Sequence, residues 1–383
     1  MDKPTVQDIF HRFYPAYLDQ YSPSPVQAKV AHNIMNCKTG AYGANVCVCE
    51  DCGFVQIHYN SCRNRCCPMC QAVPKEMWMD ARREDVLDAP YFHLVFTVPD
   101  ILNPVIYSNQ RLLYDALYHA ASSTISELTA DPKHLGAKVG YICILHTWGS
   151  EMNFHPHIHT ILLGGGLASN NQWKDNGENF FLPIRVISKV FRGKYLEELK
   201  RLWEEDKLVF QGTAEKFRNH YTFKELLDSC YGMDWIPHCK KTFNGAQTVI
   251  KYLGKYTHRI AVSNHRIVRM DDDTVTFLVK DYRNEGQWKE LTISGVEFVR
   301  RFLMHVPPRR FVRIRHYGLL CSRTKSQKLT LCRNLLGCKK YLSKLRDMEM
   351  PEILEHLYGI KVCVCKACGG HLGKPQMKMP LRC

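Results

Sequence analysis

The most constraining stretch of this chain is His155-Pro156-His157-Ile158-His159, which runs into Thr160-Ile161-Leu162-Leu163 and three glycines, Gly164 to Gly166. Histidines at every second position leading into an apolar run predict one β-strand. Strand side chains alternate between faces, so the three imidazoles would share one face and Ile158 the other. Imidazole is the commonest protein metal ligand near neutral pH, and several on one rigid strand can chelate a divalent ion. The competing reading is a set of hydrogen-bonded histidines on a half-buried sheet. Three in register favour the metal.

At 383 residues the chain is long enough for two or three domains. Lys plus Arg number 52 against 37 Asp plus Glu, a net charge of +15, which points to a polyanionic partner, nucleic acid before membrane. No run of eighteen apolar residues suggests a membrane span, and the N-terminus lacks the apolar core of a signal peptide. A cytoplasmic protein is expected, whose 18 cysteines are thiols or metal ligands rather than disulfides.

Residues 1–45 have a helical pattern and form a lead-in. A cysteine-dense segment, 46–88, follows with Cys47, Cys49, Cys52, Cys62, Cys66, Cys67 and Cys70. Within it Cys49-x-x-Cys52 and Cys67-x-x-Cys70 are knuckle-type pairs that together predict a tetrahedral structural Zn²⁺ site. Cys62 and Cys66 are alternative ligands, and His58 a weaker one. Arg63 and Arg65 stand between the pairs, where a zinc module would offer them to phosphates; a solvated loop is the plainer reading.

The region 89–320 reads as the main domain. Strands are predicted at Tyr91–Val98 and Val139–His146, around an amphipathic helix from Leu112 to Leu128. This is the start of an α+β sheet with helices packed on one side. Residues 167–233, polar and turn-rich with two helical patterns, read as a helical insertion. Helical spacing returns over 246–259, where Tyr252 and Tyr256 fall on one face with Lys251, Lys255 and Arg259 beside them. Taken alone, such a tyrosine pair is more often packing. Gly254 weakens that helix by about 1 kcal/mol, which suits a close approach to another element. Arg313 and Arg315 alternate with Val312 and Ile314, so a strand there would turn two guanidiniums outward, suited to phosphates or to a charged sheet face. The tail, 321–383, holds another knuckle, Cys365-x-x-Cys368. Its partners for a second zinc are open among Cys363, His371, Cys383 and Cys332 with Cys338.

A metal on the histidine strand would polarise a phosphate, and a phenol with a pKa near 10 needs such help to attack one. Attack on DNA would leave a phosphotyrosine and conserve the bond energy for rejoining. With these motifs in hand, the chain resembles the rolling-circle transposases of bacterial insertion sequences, the two-tyrosine branch of the HUH endonucleases. Asn60-Ser61-Cys62-Arg63-Asn64-Arg65 with Cys67-Pro68-Met69-Cys70-Gln71 is similar to that family's N-terminal zinc-binding domain. His157 and His159 match its metal motif, Lys251 to Arg259 its nucleophile helix, and Arg313 to Gly318 a further signature. Cys66 departs from the pattern, standing where relatives commonly carry histidine.

The resemblance implies an antiparallel-sheet HUH endonuclease core, and nicking of single-stranded DNA at element ends and target. It implies 5′-phosphotyrosine at Tyr252 or Tyr256 and a Mg²⁺ or Mn²⁺ cofactor. Strand register makes His155 the third ligand beside His157 and His159, with Glu151 and Gln247 as alternatives. Other readings are a replication initiator or relaxase of the same chemistry, a non-catalytic zinc protein that binds DNA, and a metallohydrolase that forms no covalent adduct.

Overall fold

The computed structural model describes residues 3–176, 182–235, 238–243, 249, 254, 261–281, 284–374 and 376–378. Gln247, Lys251, Tyr252, Lys255, Tyr256, Arg259 and Cys383 lie outside the described residues.

The chain opens with α1 (Val6–Gln20) and α2 (Pro25–Met35), each started by a capping box, Thr5 with Asp8 and Ser24 with Gln27. A hairpin of β1 (Ala44–Val48) and β2 (Val55–Tyr59) follows, then α3 (Ala72–Arg83). Next come β3 (Tyr91–Thr97), α4 (Asn103–Ser108), α5 (Gln110–Ala130), β4 (Lys138–Trp148), β5 (Phe154–Leu167) and β6 (Trp173–Asp175). Two helices, α6 (Ile184–Glu204) and α7 (His220–Gly232), precede β7 (His238–Phe243). The remainder is β8 (Ile267–Met270), β9 (Thr274–Asp281), β10 (Gln287–Ser294), α8 (Gly295–Met304), β11 (Ile314–Gly318), α9 (Lys325–Leu336), α10 (Met350–Tyr358) and β12 (Gln376–Lys378).

The central sheet is antiparallel, in the order β11-β4-β5-β3-β7, with β6 paired to β5. Alternation sorts its side chains. Phe92, Leu94, Phe96, Tyr141, Cys143, Leu145, Ile158 and Leu162 face one core with Leu113 and Leu117 of α5 and Phe191 and Tyr195 of α6. Each such buried side chain stabilises the fold by roughly 1.5–3 kcal/mol. This is the expected α+β architecture. The second face is apolar too, through Tyr91, Ile142, Ile144, Ile161 and Leu163, and a sheet apolar on both sides must be covered on both. Met79 of α3 and Leu329 and Cys332 of α9 cover part of it.

Two segments are less separate than the sequence suggested. The helices of 167–233 are part of the main core, with Phe191 of α6 against Phe96 of β3 at 4.9 Å between ring centres. The N-terminal helices share a second core with residues 261–306, where Phe10 meets Phe302 edge-on at 5.2 Å. Amphipathic spacing reveals that a helix has a face to bury, but not which distant element buries it.

His305, just past α8, is buried between the Thr147 hydroxyl, 3.1 Å from Nδ1, and the Met152 carbonyl, 3.0 Å from Nε2. Burial pushes its pKa down to about 4, and that of His316 on β11 to about 4 as well. Unfolded, each would titrate near 6.5. Between those values the unfolded chain binds more protons. Stability should therefore fall as pH drops through this window, by up to about 1.4 kcal/mol per pH unit for each histidine. Melting temperature measured against pH checks this; a flat profile between pH 6.5 and 4 would contradict it.

Candidate metal centre

Three imidazoles converge on the sheet face opposite α5 and α6. His157 and His159 project from β5, and His146 from β4 directly across from His157. Their ligand atoms lie within 4.8 Å of one another, and all three residues are buried. Nε2 of His157 and Nε2 of His159 are 3.1 Å apart. With metal–nitrogen bonds of about 2.1 Å, adjacent ligands stand roughly 3.0–3.4 Å apart in octahedral or tetrahedral geometry. The donor set thus fits a divalent ion.

Neighbouring groups orient these rings. His157 Nδ1–H donates to the His155 carbonyl at 2.6 Å, which leaves Nε2 as the lone pair. His159 Nδ1 is 2.9 Å from Nε2 of His93, itself buried on β3. In the tautomer where His159 donates, its Nε2 is free for an ion. His146 stacks on Trp148 at 4.5 Å. Burial, then the neighbouring His155, push the His157 pKa down to about 4, so the ring is neutral and its nitrogen available at pH 7.

His155 does not join them. Its exposed ring turns to Asp100, with Nδ1 3.2 Å from the carboxylate. The cause is a bulge. Between the pairs His146/His157 and Trp148/Phe154, β5 carries one residue more than β4, and the extra residue breaks the alternation that register reasoning assumed. His146 takes the third position instead. Glu151 lies on the exposed loop between β4 and β5, 4.0 Å from the Lys289 ammonium. The triple glycine marks a second irregularity. A Cβ on Gly165 would run into the Trp173 ring, and one on Gly166 into the Lys138 carbonyl.

The cysteines form two groups, and the pairing differs from the expected one. Cys67 and Cys70 gather with Cys62 and Cys37, while Cys49 and Cys52 gather with Cys365 and Cys368. In each group the four sulfurs lie within 4.8 Å of one another. The hairpin explains the split. Cys49 and Cys52 form its tip, Cys37 and Cys62 flank its base, and five residues of strand separate the two by about 16 Å. Cys66 stays out of both groups. Burial pushes its thiol up, while Arg313 and Arg65 pull the other way. In the first group, hydrogen bonds from Cys62 and then Cys67 hold the Cys70 thiol far below the usual range. A shared thiolate is what a zinc ion would neutralise.

One family model, described as “Transposase zinc-binding domain”, matches residues 9–98, and another, described as “Putative transposase”, matches residues 140–328. The transposase for insertion sequence element IS801, from Pseudomonas savastanoi pv. phaseolicola, is 29% identical over 319 residues, 79% of this chain and 72% of that one. A protein named “Putative transposase y4qJ”, from Sinorhizobium fredii (strain NBRC 101917 / NGR234), is 40% identical over 369 residues, covering 95% of this chain and 93% of the relative. The chain belongs to the insertion-sequence transposases. It is a DNA transposase of the two-tyrosine, rolling-circle kind, with the family's zinc-binding domain at its N-terminal end. Among solved structures, the conjugative relaxase TrwC in complex with oriT DNA overlaps 43% of the transposase and 68% of its own chain, at 14% identity and a TM-score of 0.25.

A transposase binds DNA and breaks and joins its strands, and this one includes a zinc-binding domain over residues 9–98. Among the described residues no helix is long and apolar enough to cross a membrane. The arginines expected to meet phosphate are differently employed. Arg315 sits on the α5 side of the sheet, away from the histidines, where it pairs with Asp115 and lies 3.9 Å over the Tyr118 ring. Arg313 is beside Cys66, Arg65 and Tyr118, and burial lowers its pKa. Arg65 donates to the Phe311 carbonyl at 2.6 Å. Arg63 is exposed. Near the histidines is a groove of about 500 Å³ of mixed charge, lined by Asn153, His155, Lys280 and Lys289 together with Glu151 and Asp281, both of which pair with Lys289.

Sequence reasoning missed His146, His93 and Cys37. His146 ends a strand predicted from its apolar alternation, so its parity with His157 was the available signal. Cys37 lies ten positions before the cysteine cluster and carried none.

Proposed function

We propose that this transposase nicks and rejoins single-stranded DNA at the ends of its element. The reaction passes through 5′-phosphotyrosine at Tyr252 or Tyr256, beside a divalent ion held by His146, His157 and His159. The observation that carries the reading is the convergence of three buried imidazoles on one sheet face. Val249 and Gly254, sequence neighbours of the tyrosines, support it. Val249 is buried on that same face among Tyr91, Ile142 and Ile161, and Gly254 abuts Met79 of α3 so closely that a Cβ would overlap its sulfur.

Held by His146, His157 and His159, a divalent ion would supply positive charge to stabilise the scissile phosphate. The protein's own groups do the rest. A tyrosine oxygen attacks phosphorus, the bond to the 3′ oxygen breaks, and the 5′ phosphate stays on the tyrosine while a 3′ hydroxyl departs. Attack by a 3′ hydroxyl on the phosphotyrosine reverses these steps and joins strands. His93 and the His155 carbonyl hold the ligand rings in place. Arg63, Lys251, Lys255, Arg259 and Lys280 are candidates for phosphate contact, whereas Lys289 is already paired with Asp281 and Glu151. Three nitrogen donors without a carboxylate suit Mn²⁺ better than Mg²⁺, which prefers oxygen.

The domain reading has residues 89–320 as the HUH core and Cys37, Cys62, Cys67 and Cys70 as the ligands of a structural zinc in the N-terminal module. The test is an assay with the full chain and single-stranded DNA carrying an element end. Nicking should require added Mn²⁺ or Mg²⁺, stop with EDTA, and resume when the metal is restored. DNA binding without metal-dependent nicking would favour the non-catalytic alternative.

A further inference from the structure

We propose that Cys49, Cys52, Cys365 and Cys368 bind one zinc ion that joins the two ends of the chain, so that the C-terminal region completes the N-terminal zinc module instead of forming one of its own. Cys49 Sγ lies 3.5 Å from Cys368 Sγ, and Cys52 Sγ lies 3.8 Å from Cys365 Sγ, across more than three hundred residues of sequence. Zinc–sulfur bonds of about 2.3 Å in a tetrahedron set sulfur–sulfur edges of roughly 3.8 Å. The sulfurs are therefore spaced as a zinc tetrathiolate spaces them, and much too far apart for a disulfide.

The two halves are copies of one turn. Both read Cys-x-x-Cys-Gly, with Gly53 and Gly369 in the left-handed region at φ 70° and 76°. In each, the glycine N–H donates to the first cysteine's carbonyl at 3.0 Å, Gly53 to Cys49 and Gly369 to Cys365. The N–H groups of Ala367 and Gly370 point at Cys365 Sγ and Cys368 Sγ, each at 3.4 Å, an arrangement that favours thiolates.

The backbone brings the halves together. β12 pairs antiparallel with β1, Gly373 N–H donates to the Val48 carbonyl at 2.9 Å, and Glu50 N–H donates to that of His371 at 3.2 Å. Among the described residues the apolar core between them is Cys47, Cys49, Cys365 and Leu372. So small a cluster cannot hold a chain end, and a structural metal is the usual remedy. Upstream, the tail is tied to α3, where Tyr341, Ser343 and Leu345 all donate to the Asp80 carboxylate at 2.6–2.9 Å. The tail thus leaves the sheet, crosses α3 and returns to the hairpin tip.

The test needs no DNA, so its outcome is independent of the nicking reading. Purified full-length protein should hold two zinc ions per chain by native mass spectrometry. Cys49→Ser with Cys52→Ser, Cys365→Ser with Cys368→Ser, and the quadruple variant should each hold one. Three ions in the parent and one in the quadruple variant would mean separate sites, and two ions in the Cys365/Cys368 variant would remove the tail from coordination; either result overturns the proposal. Alkylation of the unmodified protein gives a second reading that no misfolded variant can confuse. Cys52, Cys363 and Cys368 are all exposed. With zinc bound, only Cys363 of these should react, and chelation should release Cys49, Cys52, Cys365 and Cys368 together. Rapid labelling of Cys368 in the zinc-loaded protein would overturn it.

Discussion

Replacing His146 by alanine is expected to lower metal-dependent nicking by at least about 10³-fold, because charge stabilisation by a bound ion contributes several kcal/mol to phosphoryl transfer. Binding of single-stranded DNA should change little, since backbone contacts dominate that affinity. His155→Ala is the informative contrast. Its ring faces Asp100 outside the cluster, so nicking should stay within a few-fold of the parent protein. His93→Ala should fall between, weakening metal affinity by about 10–100-fold and recovering at high Mn²⁺, as partners of metal-bound histidines do. Nicking rates titrated against metal separate the three outcomes. An inactive His155→Ala beside a fully active His146→Ala would restore the ligand set that strand register alone suggested.

The second large effect concerns the tyrosines. With Tyr252→Phe and Tyr256→Phe together, the covalent protein–DNA adduct on a denaturing gel should vanish, a loss of at least about 10⁴-fold for removal of a nucleophile. Each single variant should still form an adduct through the remaining hydroxyl, but strand transfer needing two successive cleavages should fail. Phenylalanine keeps the ring, so a tyrosine pair that only packs would leave nicking intact. Cleavage without adduct in the double variant would instead identify water as the nucleophile and a plain metallohydrolase.

Much of the candidate site could be read from local pattern. Alternation at His157 and His159, with the apolar run behind them, specifies a strand and a shared face, because side-chain direction on a strand follows parity. Knuckle spacing marks Cys49, Cys52, Cys67, Cys70, Cys365 and Cys368 as ligand types, because two residues between cysteines suffice for a tight turn. Basic composition and the motifs together indicate a DNA-processing enzyme.

Partner choice was beyond such reasoning. Parity fails at a bulge, and one extra residue in β5 excludes His155 while β4 delivers His146 from across the sheet. Cysteine spacing cannot tell which pair meets which, and the five-residue strands of the first hairpin carry Cys49 and Cys52 away from Cys67 and Cys70 to meet the far end of the chain. The alternation of Arg313 and Arg315 has no sign of its own, and only the pairing of β11 with β4 turns Arg315 onto the α5 side. By itself the sequence marked His157, His159 and the knuckle cysteines as candidate ligands, because ligand type and face are local properties. Which of them come together, and that His146 and Cys37 join them, was decided by the tertiary structure alone, because that depends on the registers and packing of segments far apart along the chain.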